Sequence, residues 1–249
     1  MSNWIARGLR RGILTTSYPR RDDAMPPTYR GRASVTSDDD AASLERGAAA
    51  CLSAAIRVDG TAILAERCFQ CGECARAAPS AFATTNDHEL ATVGDADVDA
   101  ARERLRKRAA AFGGSVHLRH VDCGSDASTE QELQAIFNPF YDVNRLGIFM
   151  TATPRHADIL VASGVVTHAM IEPLRRAFEA MPEPKIVVAL GSAACSGTIY
   201  EEGAVAGAVD RFLPVEVKIP GTPPAPLTII HGLWVALGRA TARRGVRDL

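Results

Sequence analysis

The sequence predicts two folded units: a small α+β domain at residues 36–112 and a larger α/β domain with a parallel sheet at residues 113–249. In the second half, apolar segments such as ADILVASG and KIVVALG are separated by the helical segment MIEPLRRAFEAM. Buried strands that alternate with helices are typical of a parallel sheet covered on both faces. In the first half the predicted elements are short, and Gly113-Gly114 ends the last of them. The domain boundary is placed there.

The N-terminal elements begin with a basic arm at residues 1–35. Its prolines stand among arginines and aspartates in SYPRRDDAMPPTYRGR, a composition that favours an extended strap lying across a neighbouring surface. A short alanine-rich helix is predicted from residue 41, and AAIRVDGTAIL indicates two short strands around the turn Asp59-Gly60. Residues 97–112 form a helix by propensity and charge.

Beyond the boundary, the pattern predicts longer elements. A helix is expected at residues 128–136, followed by the strand ADILVASG, the helix MIEPLRRAFEAM and the buried strand KIVVALG. A final helix is expected at residues 228–243, where an arginine-rich end suits the negative C-terminal end of the helix dipole.

Composition excludes several classes of function. The chain has 249 residues and is 47% hydrophobic, enough for a substantial core. Its 28 Lys and Arg nearly balance 29 Asp and Glu, so nothing favours the coating of nucleic acid. No apolar run approaches the roughly 18–20 residues of a membrane span, and the N-terminus lacks the apolar stretch of a secretory signal. A cytoplasmic protein without a membrane span is expected.

The cysteines carry the strongest chemical signal. Four of the six lie between residues 51 and 74, and without a secretory signal they indicate metal or redox chemistry rather than structural disulfides. Cys68, Cys71 and Cys74 have the spacing C-x₂-C-x₂-C, which is typical of three ligands to one iron–sulfur cube. Four residues further on, Ala78 stands before Pro79 in place of a fourth cysteine. A zinc site on the three cysteines, with Cys51 a small buried residue, is the alternative.

This segment resembles the bacterial two-cluster ferredoxins, in which each cube takes three ligands from one motif and one from the other. The resemblance implies one [4Fe–4S] cluster with a fourth ligand upstream. Its ligands would be Cys51, Cys68, Cys71 and Cys74. It also implies that a second cluster has lost all of its ligands, whose positions fall on Ala41, Leu44, Gly47 and Ala78.

The rest of the chain resembles subunits of one class of membrane complex. The arm segments RRGILTTSYP and PPTYRGR resemble the ferredoxin-like subunits of complex I, formate hydrogenlyase and hydrogenase-4. The segments EQELQAIFNPFYDVNRLGI, ATPRHADILVASGVVTHAM, MPEPKIVVALGS and VEVKIPGTPPAP are similar to the 20 kDa subunit of complex I and the small subunit of [NiFe] hydrogenases. The resemblance implies a flavodoxin-like α/β domain, a large-subunit partner, membrane-subunit partners and a peripheral position on the cytoplasmic side.

The family's own cluster ligands are missing from this chain. The resemblance places those positions on Asp126, Thr129, Ala193 and Thr222. Cys123 and Cys195 lie close by in sequence and are interpreted as packed thiols. The alternatives are a disulfide, or a metal site completed by Asp126 or His156. His156 itself is interpreted as a loop histidine bonded to backbone.

Two functions follow from the resemblance. The first is an iron–sulfur electron-transfer subunit with one [4Fe–4S] cluster, lacking the usual proximal cluster and having no active site of its own. The second is a non-redox structural or regulatory scaffold in a degenerate hydrogenase-like complex coupled to an ion-translocating membrane module. An isolated soluble ferredoxin is disfavoured by the size of the α/β half.

Overall fold

The computed structural model describes residues 3–23, 25–36, 40–57, 62–94, 97–197, 199–200 and 203–244. The α-helices of these residues are α1 (Trp4–Arg11), α2 (Ala41–Ala49), α3 (Glu73–Ala77), α4 (Val98–Ala109), α5 (Ser128–Ala135), α6 (Ile171–Glu179), α7 (Ser192–Ser196) and α8 (Pro226–Ala236). The strands are β1 (Ala33–Val35), β2 (Phe82–Thr84), β3 (Thr92–Val93), β4 (Val116–Asp122), β5 (Ile148–Met150), β6 (Ile159–Ser163), β7 (Ile186–Leu190), β8 (Val217–Ile219) and β9 (Arg243–Arg244). Among the helices of these ranges, none has the length and apolarity to cross a lipid bilayer.

The larger unit is built on a seven-stranded mixed sheet with the order β5-β4-β6-β7-β8-β3-β9. The first five strands in this order, β5, β4, β6, β7 and β8, pair in parallel. Strand β3 is antiparallel to β8 and parallel to β9. Every residue of β6 and β7 is buried, as expected for continuous apolar strands covered on both faces. The predicted α/β class of this half is confirmed.

Two apolar cores lie on the two faces of the sheet, because successive side chains of a strand point to opposite faces. Ile159 and Val161 of β6 belong to one core, together with residues of α4 and α8. Leu160 and Ala162 belong to the other, together with residues of α6 and α7. Helix α8 is the central cover, since ten of its eleven residues are buried.

The smaller unit contains β1, α2, α3 and β2. Strand β1 pairs antiparallel with β2 at the two ends of the unit, and α2 packs against α3. Ile56 and Ile63 pair antiparallel, in agreement with two short extended segments at this point. The predicted turn Asp59-Gly60 between them lies outside the described residues. The ferredoxin-like assignment of the unit stays a prediction.

The basic arm is not extended throughout, contrary to expectation. Helix α1 occupies Trp4–Arg11, and the side chain of Asn3 accepts a hydrogen bond from the Ala6 N–H at its start. Helix-forming leucine and arginine dominate here, and the prolines that oppose a helix begin only at Pro19. Beyond α1 the described residues of the arm contain turns at residues 18–20 and 27–28, and they contact the chain's own larger unit.

Several contacts hold the part of the arm that follows α1, including a backbone hydrogen bond, a pair of hydroxyls and a buried tyrosine. The Thr16 N–H donates to the carbonyl of Phe140 at 2.8 Å, and the Tyr29 and Thr228 hydroxyls are 3.3 Å apart. Tyr18 is 2% exposed and joins the core of the larger unit. Residues 15–23 and 25–29 therefore belong to that unit's surface layer.

The final helix is shorter than predicted. It ends at Ala236 rather than at residue 243, and no basic residue lies in its last turn. Gly238 follows with a φ of +64° and approaches the Arg106 backbone so closely that a Cβ would lie 2.5 Å from its nitrogen. The expected match between the arginines and the helix dipole is therefore wrong, and Arg243–Arg244 joins the sheet as β9.

Elements on both sides of residue 113 build the larger unit. Strand β3 pairs with β8, and α4 buries Val98, Ala101 and Leu105 in the core that also contains α8. The helix predicted at residues 97–112 is confirmed, with Asp97 as its N-cap. The boundary at Gly113-Gly114 remains a prediction about the folding units.

Candidate iron–sulfur sites

The four N-terminal cysteines lie on two segments of the smaller unit. Cys68 and Cys71 precede α3, and Cys74 lies in its first turn. Cys51 follows α2. Gly72, between the second and third cysteines of the motif, has a φ of +74° and lacks a side chain where that of Arg30 approaches.

Backbone N–H groups point at two of these sulfur atoms. The Ala55 N–H donates to Sγ of Cys51 at 3.3 Å, and the Gln70 N–H donates to Sγ of Cys68 at 3.4 Å. Ala54 and Gln70 have φ values of +47° and +60°, which are uncommon for residues that carry a Cβ. N–H groups in such turns form concave sites of the kind that hold phosphates and iron–sulfur clusters.

The four thiols form one electrostatic group. Burial raises the pKa of Cys68 to about 11, and the neighbouring Cys74, Cys51 and Cys71 act in the same direction. Burial also raises the pKa of Cys74, again with Cys51 and Cys71 adding to it. Because iron binds the thiolate form, loading this site must displace protons.

This donor set fits a four-iron cube. Four cysteine sulfurs are the usual ligands of a [4Fe–4S] cluster, and hydrogen bonds to the sulfurs stabilise the anionic cluster. Within the described ranges, no three or more Cys, His, Asp or Glu side chains are grouped closely enough for a single metal ion. A cube is wider than one ion and binds its four thiolates at separate corners.

The positions implied for a second cluster carry apolar residues. Leu44 and Ala78 are buried beside the ring of Phe82, which is 1% exposed. Gly47 lies so close to that ring that a Cβ would be 2.2 Å from it. Ala41 is exposed at the start of α2. Leu44, Gly47 and Ala78 are therefore apolar positions packed around Phe82, and none of them supplies a thiolate.

We expect Phe82→Ala to destabilise the smaller unit by about 3–5 kcal/mol, because it removes a buried ring from this core. Amide hydrogen exchange of β1 and α2 measures the loss as faster local opening. Leu52→Ala is the control, since Leu52 belongs to the same unit but is 79% exposed. Equal exchange rates in the two variants would contradict the assignment of Phe82 as the centre of the core.

A cavity of about 130 Å³ brings together the four positions that the resemblance assigns to the family's own cluster. Its lining includes Asp126, Thr129, Ala193 and Thr222. These residues come from the start of α5, the start of α7 and the loop after β8. The four positions that the resemblance implies for one cluster therefore lie around one cavity in the fold.

The side chains of this cavity do not fit an iron–sulfur cluster. The four side chains are a carboxylate, two hydroxyls and a methyl group, and oxygen ligands of this kind suit harder metal ions. Asp126 is also engaged locally: it accepts hydrogen bonds from the Ser128 N–H at 3.0 Å and the Ser128 hydroxyl at 2.6 Å. These bonds lower the pKa of Asp126.

The cavity adjoins the cysteine loop. Phe69, between Cys68 and Gln70, contributes to its wall. The Ser192 hydroxyl donates to the carbonyl of Cys68 at 2.9 Å and accepts from the Gly221 N–H at 2.9 Å. The Gln70 side chain donates to the carbonyl of Pro220 at 3.2 Å. The candidate cube site is therefore fixed directly to the wall of the cavity.

Cys123 and Cys195 do not line the cavity and are packed thiols, as interpreted from the sequence. Both belong to the apolar core on the face of α6 and α7. The thiol of Cys123 donates to the carbonyl of Val121 at 3.8 Å, and that of Cys195 donates to the carbonyl of Ala189 at 3.5 Å. Burial raises the pKa of Cys123 to about 12 and raises that of Cys195 as well.

The other predicted residue, His156, lies away from both sites. It ends the short 3-10 turn Pro154–His156 and is exposed. It is absent from the cavity lining. The alternative in which His156 completes a metal site with the two packed thiols is not supported by this arrangement.

A buried polar network beneath the cavity was missed at the level of sequence. Glu130 accepts hydrogen bonds from Ser125 at 2.7 Å and from Ser163, whose hydroxyl is 2.8 Å from Nε2 of His120. Burial lowers the pKa of His120, so the imidazole is neutral near pH 7. The available signal was Ser163 at the end of the apolar segment ILVAS, whereas His120 gave none because its strand, VHLRHVD, is mostly polar.

Comparison with known proteins identifies the larger unit. Residues 123–236 match the family model described as NADH ubiquinone oxidoreductase, 20 kDa subunit. A probable membrane-bound hydrogenase subunit of Pyrococcus furiosus is 40% identical over 141 residues, which cover 55% of this chain and 84% of that protein. Formate hydrogenlyase subunit 7 of Escherichia coli is 42% identical over 125 residues, covering 50% of this chain and 49% of that protein.

Two further matches extend the comparison. A structure of the membrane-bound sulfane sulfur reductase, an archaeal respiratory membrane complex, contains a chain that is 26% identical, with a TM-score of 0.45. That match covers 54% of this chain and 77% of the other. An uncharacterized protein of Methanocaldococcus jannaschii is 41% identical over 146 residues, which cover 59% of this chain and 95% of that protein. Because residues 123–236 match the family model and the chain covers 84% and 95% of the Pyrococcus furiosus and Methanocaldococcus jannaschii proteins, the chain belongs to the NADH ubiquinone oxidoreductase 20 kDa subunit family.

Proposed function

We propose that this protein is an electron-transfer subunit of a membrane-attached complex of the hydrogenase and complex I class. It carries one [4Fe–4S] cluster on the four N-terminal cysteines and no cluster at the family's own position. The packing of Cys51 in the same small core as Cys68 and Cys74 of the C-x₂-C-x₂-C loop carries the proposal. Its ligands are Cys51, Cys68, Cys71 and Cys74.

The names of the relatives support the assignment to a complex. They describe subunits of a membrane-bound hydrogenase, of formate hydrogenlyase and of NADH-quinone oxidoreductase. By the same likeness, the partners of this chain are a large subunit and membrane subunits, and the chain is peripheral on the cytoplasmic side. No feature of the described residues favours the non-redox scaffold over this function.

The protein's own residues would set the properties of the cluster. When bound, a [4Fe–4S] cube transfers single electrons, at a potential that depends on nearby charge, hydrogen bonds and solvent exposure. The N–H groups of Ala55 and Gln70 are placed to bond the ligand sulfurs. The candidate site of this cluster shares a wall with the thiol-free cavity. The cluster would therefore lie beside the position that the resemblance implies for the family's usual cluster.

The direct test is the iron and acid-labile sulfide content of anaerobically purified protein, with EPR of the dithionite-reduced state. About four iron atoms per chain and one reduced-cluster signal are expected for a single cube. About eight would contradict the loss of the second site. Stoichiometric zinc in place of iron would establish the zinc alternative. If no iron is bound even after anaerobic cluster reconstitution, the electron-transfer function is excluded and the scaffold function remains.

Arg30 is expected to raise the reduction potential of this cluster. Its guanidinium donates to the carbonyl of Cys71, and its Cδ packs against Gly72. A positive charge at that position favours the reduced, more negative cluster. We therefore expect Arg30→Gln to lower the midpoint potential by about 40 mV, which corresponds to ~1 kcal/mol for one electron.

An EPR-monitored redox titration measures this shift. Arg30→Lys keeps the charge and should stay close to the wild-type potential, whereas Arg7→Gln removes a charge from α1 and should leave the potential unchanged. A shift in Arg30→Lys as large as that in Arg30→Gln would show that the hydrogen bond, rather than the charge, sets the potential.

A further inference from the structure

Helix α1 presents an apolar face that no part of the described chain covers. Ile5 and Leu9 lie on one side of the helix by its 3.6-residue period, and Trp4 lies at the edge of that side; the three side chains are 56%, 80% and 74% exposed, respectively. None of the residues of α1 is buried. Ile13 and Leu14, directly after the helix, are exposed as well and extend the apolar surface.

The opposite side of α1 is uniformly basic. Arg7, Arg10 and Arg11 share this side, and the helix contains no acidic residue. Residues 1–21 contain no Asp or Glu at all, and Arg20 and Arg21 add to the positive charge. An apolar side with tryptophan and leucine opposite an arginine-rich side is typical of helices that lie in the membrane interface.

The size of the apolar face also favours lipid over a protein partner. An eight-residue helix is about 12 Å long, and three side chains fall far short of the roughly 800 Å² per partner of a standard protein interface. A bilayer needs no matching surface, because its headgroup region accepts apolar side chains on one side and arginines on the other.

We propose that α1 lies flat on an anionic lipid bilayer, with Trp4, Ile5 and Leu9 inserted and the arginines at the lipid phosphates. The helix supplies a membrane contact of this chain's own, in addition to attachment through partner subunits. The proposal goes beyond the electron-transfer function and holds whether or not the cluster is present.

The test is flotation of the purified full chain with vesicles of phosphatidylcholine alone or mixed with phosphatidylglycerol. Binding is expected only to the mixed vesicles, and it should weaken as salt is raised because the lipid charge is screened. Each arginine near an anionic surface strengthens binding about fivefold. Replacing Arg7, Arg10 and Arg11 by glutamine should therefore weaken binding about a hundredfold.

The apolar contribution is tested separately. The double variant Trp4→Ser, Leu9→Ser should lose most of the binding, whereas Met150→Ser, which removes an exposed apolar side chain from strand β5, should bind as the wild type does. Because α1 contributes no buried residue, circular dichroism of these variants should match that of the wild type. Equal binding to both kinds of vesicle, or full binding by the double variant, would overturn the proposal. The proposal would also be overturned if the protein does not bind vesicles and the same variants lose their partner subunits, because α1 would then be a protein contact.

Discussion

If the proposed cluster is bound at the N-terminal cysteines, replacing Cys68 and Cys74 together by alanine is expected to remove all of its roughly four iron atoms. The two remaining thiols, Cys51 and Cys71, cannot enclose a four-iron cube. Both replaced residues are at least partly buried in the smaller unit's core, where alanine is tolerated sterically. The change therefore acts on the ligands and not on the packing of bulky groups.

The chain contains a matched control for this variant. Cys123→Ala with Cys195→Ala also removes two buried thiols, but from the core under α6 and α7. We expect that pair to keep about four iron atoms and the EPR signal of the wild type. Iron content measured on both double variants decides the outcome, and equal iron loss in the two would show that the N-terminal cysteines do not form the site.

Loss of the cluster should also loosen the smaller unit, because ligation energy is folding energy for a domain with a small core. Its strands β1 and β2 have three residues each, and its apolar core is much smaller than the two cores of the larger unit. Hydrogen exchange should therefore speed up in β1 and α2 of the cysteine variant while β6 and β7 stay protected.

The fold of the larger unit could be predicted where local pattern and burial agree. The apolar runs at β6 and β7 are strands that are buried along their whole length, so their pattern reports the sheet directly. Helix α4 carries its own N-cap in Asp97 and was equally predictable. In these elements no tertiary contact opposes the local preference.

The prediction failed where tertiary contacts decide. The last helix stops at Ala236 because Gly238 must turn beside the backbone of Arg106, a residue far away in sequence. The strand β9 exists only by pairing with β3, another two-residue strand. Neither the end of α8 nor the formation of β9 has a local signal in the sequence. The arginines after residue 238 wrongly suggested a longer helix.

The site was predictable to a different degree in its two parts. The spacing of Cys68, Cys71 and Cys74 indicates iron–sulfur chemistry without any structure. The cavity at Asp126 could be located only through the resemblance, since its lining comes from several segments that lie far apart in sequence. The hydrogen bond from Ser192 to the carbonyl of Cys68, which joins the two sites, has no sequence signal.

A variant that restores thiolates to the cavity is expected to bind a second cube. The replacements are Asp126→Cys, Thr129→Cys, Ala193→Cys and Thr222→Cys, and all four positions line the same cavity of about 130 Å³. Gly191 and Gly221 keep its walls open with φ values of +89° and +133°. Since the fold already holds the four positions together, the ligands are the missing part.

Iron analysis of this fourfold variant after anaerobic reconstitution should give about eight iron atoms per chain, and EPR should show a second reduced cluster that interacts magnetically with the first. Asp126→Cys with Thr129→Cys alone is the control, and it should stay near four because two thiolates do not hold a cube. If the fourfold variant also stays near four iron atoms per chain, the cavity lacks more than the four ligands. An electron path then cannot run through this position even when thiolates are supplied. A gain to eight iron atoms per chain would show instead that these four side chains are the whole difference, for cluster binding, between this chain and a relative that holds both clusters.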